Sequence, residues 1–335
     1  MNSPLVSILI PFKNTETYIE ECLDSILEQN YQNWEAICIN DHSEDQSPEM
    51  VKTYVKKDNR FQLFYNNGRG IIEALRLALE KSKGQYITRM DSDDVMLPNR
   101  IKTLCQLLKK YGKKHLAVGQ VKYFRADGLH NGYKRYEKWI NELTEKGTNY
   151  SEIYKECVIP SPCWMIDKED LIACDAFNPS LYPEDYDLTF RFYKANYKCI
   201  PCSEVLLKWR DYSNRSSRTL EHYAQNYFLE IKTHYFLELD YNKTRPLILW
   251  GAGFKGKHIA KLLIENNIDF NWVCDNAKKI GKHIYNQKLH NFESLKDIKN
   301  PQTIVTVAND DAQKDIRAYF EELQMKSMAD YFFFC

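Results

Sequence analysis

Gln85-Tyr86-Ile87-Thr88-Arg89-Met90-Asp91-Ser92-Asp93-Asp94 begins as a β-strand and runs straight into three carboxylates. The alternation of strands and helices around it decides the fold class. Upstream, residues 71–83 have helical apolar spacing, and Gly84 stands at the C′ position, where a helix ends without a Cβ penalty. Downstream, Pro98 opens a helix to Tyr111, and residues 116–124 read as the next strand. Further back, residues 5–12, 34–40 and 61–65 are strands. The first is apolar throughout, as a strand buried on both faces of a parallel sheet must be. Thr17-Tyr18-Ile19-Glu20 has capping-box spacing ahead of a helix with Ile19, Cys22, Leu23, Ile26 and Leu27 on one face. This order predicts an α/β fold: a mostly parallel, mixed sheet with helices on both faces and a ligand site at the carboxyl ends of its strands.

The chain has 335 residues, which at about 150 per domain predicts two domains. Its 46 basic and 46 acidic residues cancel, which argues against a nucleic-acid binder driven by phosphate neutralisation. No run approaches the roughly 18 apolar residues of a membrane span. Residues 1–10 lack a basic n-region and read as a first strand, not a signal peptide, so the expected setting is cytoplasmic. The ten cysteines then read as reduced thiols, and Cys199-Ile200-Pro201-Cys202 lacks the second pair of a zinc site. The eight histidines are scattered, and no nucleophile elbow is present.

Three acids at one strand end repel, so a cation or a hydrogen-bonding ligand is expected to hold them. Hard carboxylate oxygens suit Mg²⁺ or Mn²⁺. By itself the segment serves equally as a solvated acidic turn. Asn40-Asp41-His42-Ser43 ends the second strand at the same sheet edge and is equally readable as an Asx turn. Pro11, Asp41 and Asp91 thus converge where three neighbouring strands end.

Residues 6–14, 25–29, 39–47 and 90–94, taken together and in order, strongly resemble glycosyltransferase family 2 with its GT-A fold. The resemblance covers roughly residues 4–240. It implies transfer of a sugar from a nucleoside-diphosphate sugar (a UDP- or GDP-sugar), usually with Mg²⁺ or Mn²⁺ and commonly with inversion. Residue by residue, it implies that Pro11 and Phe12 flank the nucleobase and that Asp41 hydrogen-bonds it. Asp91 holds the ribose and approaches the metal, and Asp93 binds the metal bridging the diphosphate. Asn40 and Arg76 depart from the family pattern, which usually has Asp and Asn there.

Tyr182-Pro183-Glu184-Asp185-Tyr186-Asp187 is a second acidic knot. Alone it reads as a helix start, where the macrodipole favours acids. The resemblance implies that Asp185 is the general base that takes the acceptor hydroxyl's proton and that Glu184 supports it, with Asp187 a helix-turn residue. Arg210, Arg215 and Arg218 occupy the family's closing segment and suit a lid over the diphosphate, though a solvated basic loop fits as well. Tyr212 stands where the family often has His.

A boundary is expected near residue 244, giving a transferase domain at 1–244 and a smaller one at 245–335. In the latter, a strand leads into Gly251-Ala252-Gly253-Phe254-Lys255-Gly256, a helix follows, and a second strand ends in Asp275, 24 residues after Gly251. That is a Rossmann fingerprint in context. An NAD(P) or other nucleotide site and a degenerate docking module both remain open, and nothing nearby supplies a hydride-transfer partner. The expected function is glycosyl transfer to a glycan or lipid-linked acceptor, with peripheral contact at the inner membrane face. The competing readings are an inactive nucleotide-sugar-binding scaffold and, further off, an NAD-dependent sugar oxidoreductase.

Overall fold

The computed structural model describes residues 3–125, 128–129, 131–178, 180–213, 215 and 225–335, with side chains from 228 onward in the last stretch. The chain packs as two compact units: residues 1–149 with 158–219, and residues 150–157 with 220–335.

The first unit runs β1 (Val6–Phe12), α1 (Ile19–Leu27), β2 (Trp34–Asn40), α2 (Ser47–Lys57), β3 (Phe61–Tyr65), α3 (Ile71–Lys81), β4 (Tyr86–Arg89), β5 (Val95–Met96) and α4 (Arg100–Tyr111). It continues with β6 (His115–Val118), β7 (Gln120–Phe124), α5 (Asn131–Lys146), β8 (Trp164–Asp167), α6 (Lys168–Ala173), α7 (Glu184–Lys194), β9 (Lys198–Ile200) and β10 (Val205–Arg210). The main sheet has the order β3-β2-β1-β4-β8-β6-β9. Its β3-β2-β1-β4 half is parallel, and β8 pairs antiparallel with both β4 and β6. A second sheet, β5-β10-β7, lies in the same unit.

Every residue of β1 is buried, as its apolar run predicts. Its single polar side chain, Ser7, is satisfied: its hydroxyl donates to Glu35 Oε1 at 2.6 Å and accepts from the Gly84 amide at 2.8 Å. Helix α1 buries Ile19, Cys22, Leu23 and Ile26 beneath that sheet, the face the spacing predicts.

Three local expectations are corrected. The capping box at Thr17 does not form; the helix starts at Ile19, and the Thr15 carbonyl takes the Tyr18 and Ile19 amides, each at 2.9 Å. Helix α3 ends at Lys81 because Ser82 is already extended, so Gly84 is not its C′ residue. Gly84 is needed for close approach instead, since a Cβ there would lie 2.6 Å from the Ser7 amide nitrogen. The strand read over 116–124 is two strands. The chain changes sheet at Gly119, with β6 joining β8 and β9 while β7 pairs with β10. A Cβ at Gly119 would meet Leu206 at 2.7 Å and Cys163 Sγ at 2.9 Å.

In the second unit, α8 (Gln225–Tyr235) passes into a π-helical turn, Phe236–Asp240. The helix read over 220–239 begins outside the described residues. Then follow β11 (Leu247–Trp250), α9 (Phe254–Glu265), β12 (Asn271–Cys274), β13 (His283–Ile284), β14 (Gln287–Asn291), β15 (Gln302–Val305), α10 (Asp310–Glu322) and β16 (Tyr331–Phe333). The sheet order is β13-β14-β12-β11-β15-β16, parallel except for the β13-β14 hairpin. Residues 150–157 belong here because the Tyr154 ring stacks on Phe334 and its hydroxyl donates to Asp240 Oδ2 at 2.6 Å. All ten cysteines are free and buried, as small hydrophobes are. Among the described residues no helix is long and apolar enough to cross a membrane.

Candidate active site

Strand register brings the first group of predicted residues to one edge. Phe12 pairs with Asn40, and Leu9 pairs with Arg89. Pro11, Asp41 and Asp91 therefore end three adjacent parallel strands. The Phe12 side chain turns away into the core, where it is almost wholly buried. Asp41 is buried and accepts from Asn66 Nδ2 at 2.8 Å and from the Gly70 amide at 3.0 Å. Its carboxylate thereby pins the loop between β3 and α3. Arg76, one of the departures from the family pattern, pairs with Glu73 within α3 and ties that helix to the carbonyls of Phe177 and Asn178.

The acids after β4 are gathered by the second sheet. β5 follows Asp94 directly and pairs antiparallel with β10, which places Arg210 and Tyr212 against Asp93 and Asp94. The Tyr212 hydroxyl donates to Asp93 Oδ2 at 2.9 Å. The Arg210 amide donates to Asp94 Oδ1 at 2.7 Å, while its guanidinium holds the Asp93 carbonyl and Glu21. Arg210 also lies over the Tyr18 and Phe124 rings, 4.7 and 4.4 Å from their centroids. Asp94 is fully buried, and its Oδ2 has no hydrogen-bond partner among the described residues. Burial, then Asp93, pushes the Asp94 carboxyl well above the usual range, and the Arg215 charge opposes the rise. Asp93 is raised for the same first reason. Arg215 lies over the Trp209 ring, 5.2 Å from its centroid. Arg218 lies outside the described residues.

The second acidic knot forms the first turn of α7, as read from sequence, with Pro183 as its N-cap. Asp187 is buried against Arg191 Nε at 2.7 Å, an intrahelical pair. Glu184 is joined to the first knot by a residue that sequence reasoning missed. Arg89 is buried and donates from Nε to Asp91 Oδ1 at 2.7 Å and from Nη1 to Glu184 Oε1 at 3.1 Å. The signal was available: a guanidinium at the end of a buried four-residue strand needs acids around it. Ser161 adds a contact to Asp91 Oδ2 at 3.4 Å. Asp185 borders a small recess with Arg89, Ser161 and Thr189. Burial, then the Glu184 charge, raises its carboxyl to about 7, against the lowering effect of Arg89. A carboxyl poised there exchanges protons near neutral pH.

The donor set fits a divalent cation. Asp91 and Asp93 offer hard oxygens, and Asp94 beside them keeps a buried oxygen without a hydrogen-bond partner among the described residues. Among the described residues no group of three or more His, Cys, Asp or Glu is preassembled as a metal cage. Mg²⁺ commonly takes only one or two carboxylates and completes its shell with substrate phosphates and water.

In the second unit, Gly251, Gly253 and Asp275 border a separate cavity. Gly256 packs beneath it, where a Cβ would lie 2.1 Å from the Gly251 carbonyl oxygen.

Residues 7–174 match the profile of "Glycosyl transferase family 2". The chain is 35% identical over 224 residues to "Glycosyltransferase GlyG" of Streptococcus pneumoniae, spanning 65% of this chain and 74% of that one. It is 31% identical over 231 residues to an uncharacterized glycosyltransferase of Rickettsia prowazekii, spanning 67% and 70%. Among solved structures, S. aureus TarS 1–349 in complex with UDP-GlcNAc superposes with a TM-score of 0.55 at 18% identity, over 77% of this chain and 71% of that one. The mannosyltransferase PcManGT from Pyrobaculum calidifontis, in complex with GDP-Man and Mn²⁺, gives 0.50 at 19% identity over 71% and 64%. These likenesses show a shared GT-A fold, and the sequence match gives the family: the chain belongs to glycosyl transferase family 2.

Proposed function

We propose that this glycosyltransferase moves a sugar from a UDP- or GDP-sugar to a hydroxyl of a glycan or lipid-linked acceptor, with inversion at the anomeric carbon. The observation that carries the reading is the Arg89 bridge. It ties Asp91, at the strand edge, to Glu184 at the start of α7, which supports a reading in which a proton acceptor and a phosphate-and-metal edge share one site. Asp41 and its pinned loop would bound the nucleoside end. Asp91 and Asp93 would hold Mg²⁺ or Mn²⁺, which supplies charge stabilisation to the departing diphosphate. Asp185 takes the acceptor proton as the oxygen attacks; a carboxyl near 7 is ionised often enough at neutral pH and basic enough to be effective. Glu184 and Arg89 set that basicity from either side. Arg215, beside the acids, would cover the diphosphate. An acceptor of this class would be met in the cytoplasm, at the inner membrane face.

The test is a panel of UDP- and GDP-sugars with Mn²⁺, read as nucleotide release and as calorimetric affinity. One donor is expected to bind in a Mn²⁺-dependent way, and Asp93→Ala is expected to lose that dependence with an unchanged circular dichroism spectrum. Unchanged Mn²⁺-dependent affinity in Asp93→Ala would remove these acids from donor binding. Product NMR reads the anomeric configuration, and a retained anomer would overturn the single-displacement scheme.

A further inference from the structure

We infer that the second unit carries its own nucleoside-diphosphate site, in the crevice beyond the carboxyl ends of β11, β12 and β15. Topology is the first ground. In the order β14-β12-β11-β15-β16 the chain leaves β11 to build outward in one direction and returns beside it with β15. The crevice between β11 and β15 is thus the switch point, where open α/β sheets bind ligands. A cavity of about 480 Å³ opens there, bordered by the Gly251–Lys255 loop, the end of β12 and residues 306–309 after β15. That volume lies within the usual range for small-molecule sites.

The loop is built for close backbone approach. Gly251 has φ +119, and a Cβ on Gly256 would overlap the Gly251 carbonyl. Two carbonyls of the loop are satisfied by the protein: Trp272 Nε1 donates to the Gly251 carbonyl and Lys279 Nζ to the Ala252 carbonyl, at 2.8 and 2.7 Å.

Charge supplies an independent ground. Helix α9 starts at this cavity with no acid in its first turn and, among the described residues, no side-chain cap. Its first amides have no intrahelical acceptor. That turn carries Lys255 and Lys257 instead, and cations at the positive end of a helix dipole are unfavourable. By contrast α10, starting on the same edge, is capped by Asn309 Oδ1 on the Ala312 amide at 2.8 Å and has two acids in its first turn. The α9 arrangement is consistent once a diphosphate sits on those amides. At the far side Asp275 is exposed at the end of β12, placed to accept from ribose hydroxyls, and the exposed Phe254 ring offers a base a stacking face.

Gly253 gives a clean test. It is the N-cap residue of α9 in an extended conformation, and a Cβ there meets nothing within 4 Å among the described residues. Gly253→Asp therefore fits, caps the helix and puts a carboxylate where the phosphates belong. The full-length protein is probed by hydrogen–deuterium exchange with ADP, GDP, UDP, NAD⁺ and pyrophosphate. At least one nucleotide is expected to protect residues 251–257 and 274–279, with at least tenfold higher affinity than pyrophosphate. Preference for NAD⁺ over ADP would name a dinucleotide, and the reverse a mononucleotide. Gly253→Asp is expected to keep or raise the melting temperature and abolish the protection; Lys255→Glu should weaken binding at least tenfold. No protection by any nucleotide, equal protection by pyrophosphate, or protection that survives both variants overturns the inference. The readout does not depend on sugar transfer, so it stands or falls apart from the proposed function.

Discussion

Replacing Arg89 by Met keeps most of the side chain's length and removes its charge. The residue is 4% exposed and serves two carboxylates, at 2.7 and 3.1 Å. Removing one member of a buried ionic network leaves its partners uncompensated and costs about 3–5 kcal/mol. Against a typical total of about 5–15 kcal/mol, that is a large fraction. Urea unfolding at pH 7 is expected to show a loss of this size in Arg89→Met and a smaller one in Arg89→Lys, which keeps charge but not the fork. In the double variant Arg89→Met/Glu184→Gln one uncompensated acid is gone, so the two losses should fall short of additivity by about 1.5–3 kcal/mol. A second readout separates function from folding. Arg89 lowers the Asp185 carboxyl, so its removal should move the acidic limb of the rate profile to higher pH. Losses under about 0.5 kcal/mol, the size of an ordinary surface change, with additive behaviour and an unmoved limb, would refute the bridge as the link between the two acidic knots.

Transfer, read as kcat/KM against pH, should fall below about pH 7 as Asp185 protonates, and Glu184→Gln should move that limb down by removing a charge that raises it. Stability carries the opposite sign. A carboxyl raised from near 4 to about 7 on folding binds its proton more tightly in the folded chain, so stability is lost as pH rises through that window. Asp185→Asn is therefore expected to be more stable than the parent by about 1–3 kcal/mol above pH 7, with the gain gone below pH 4. Gly84→Val should destabilise by about 1–3 kcal/mol or more, read from the urea midpoint, because its Cβ meets the Ser7 amide at 2.6 Å and the Leu5 carbonyl at 2.8 Å.

The parts legible in the sequence were those set by local pattern. The apolar run of β1, the amphipathic face of α1 and the acids in the first turn of α7 each follow from periodicity or capping chemistry within about ten residues. Strand order then placed Pro11, Asp41 and Asp91 at one edge. What stayed hidden depends on partners far along the chain. Residues 116–124 read as one strand because nothing local says that β6 and β7 have different neighbours; Gly119 was the only mark. Gly84 looked like a helix stop because its real constraint, Ser7, lies 77 residues away. Arg89 reads as an ordinary strand residue, since its second acid is 95 positions downstream. Tyr212 reads only as a replacement for a family His, whereas its hydroxyl reaches Asp93.

Asp185→Asn tests the central claim most directly, with initial transfer rate and donor affinity measured on the same preparation. The side chain keeps its shape and loses its basicity. Turnover is predicted to fall by roughly 10²–10⁴-fold, the usual contribution of a general base, while the dissociation constant of the nucleotide-sugar changes by less than about twofold. Near-parental turnover in Asp185→Asn would contradict the account, because no proton acceptor would then be needed at the start of α7.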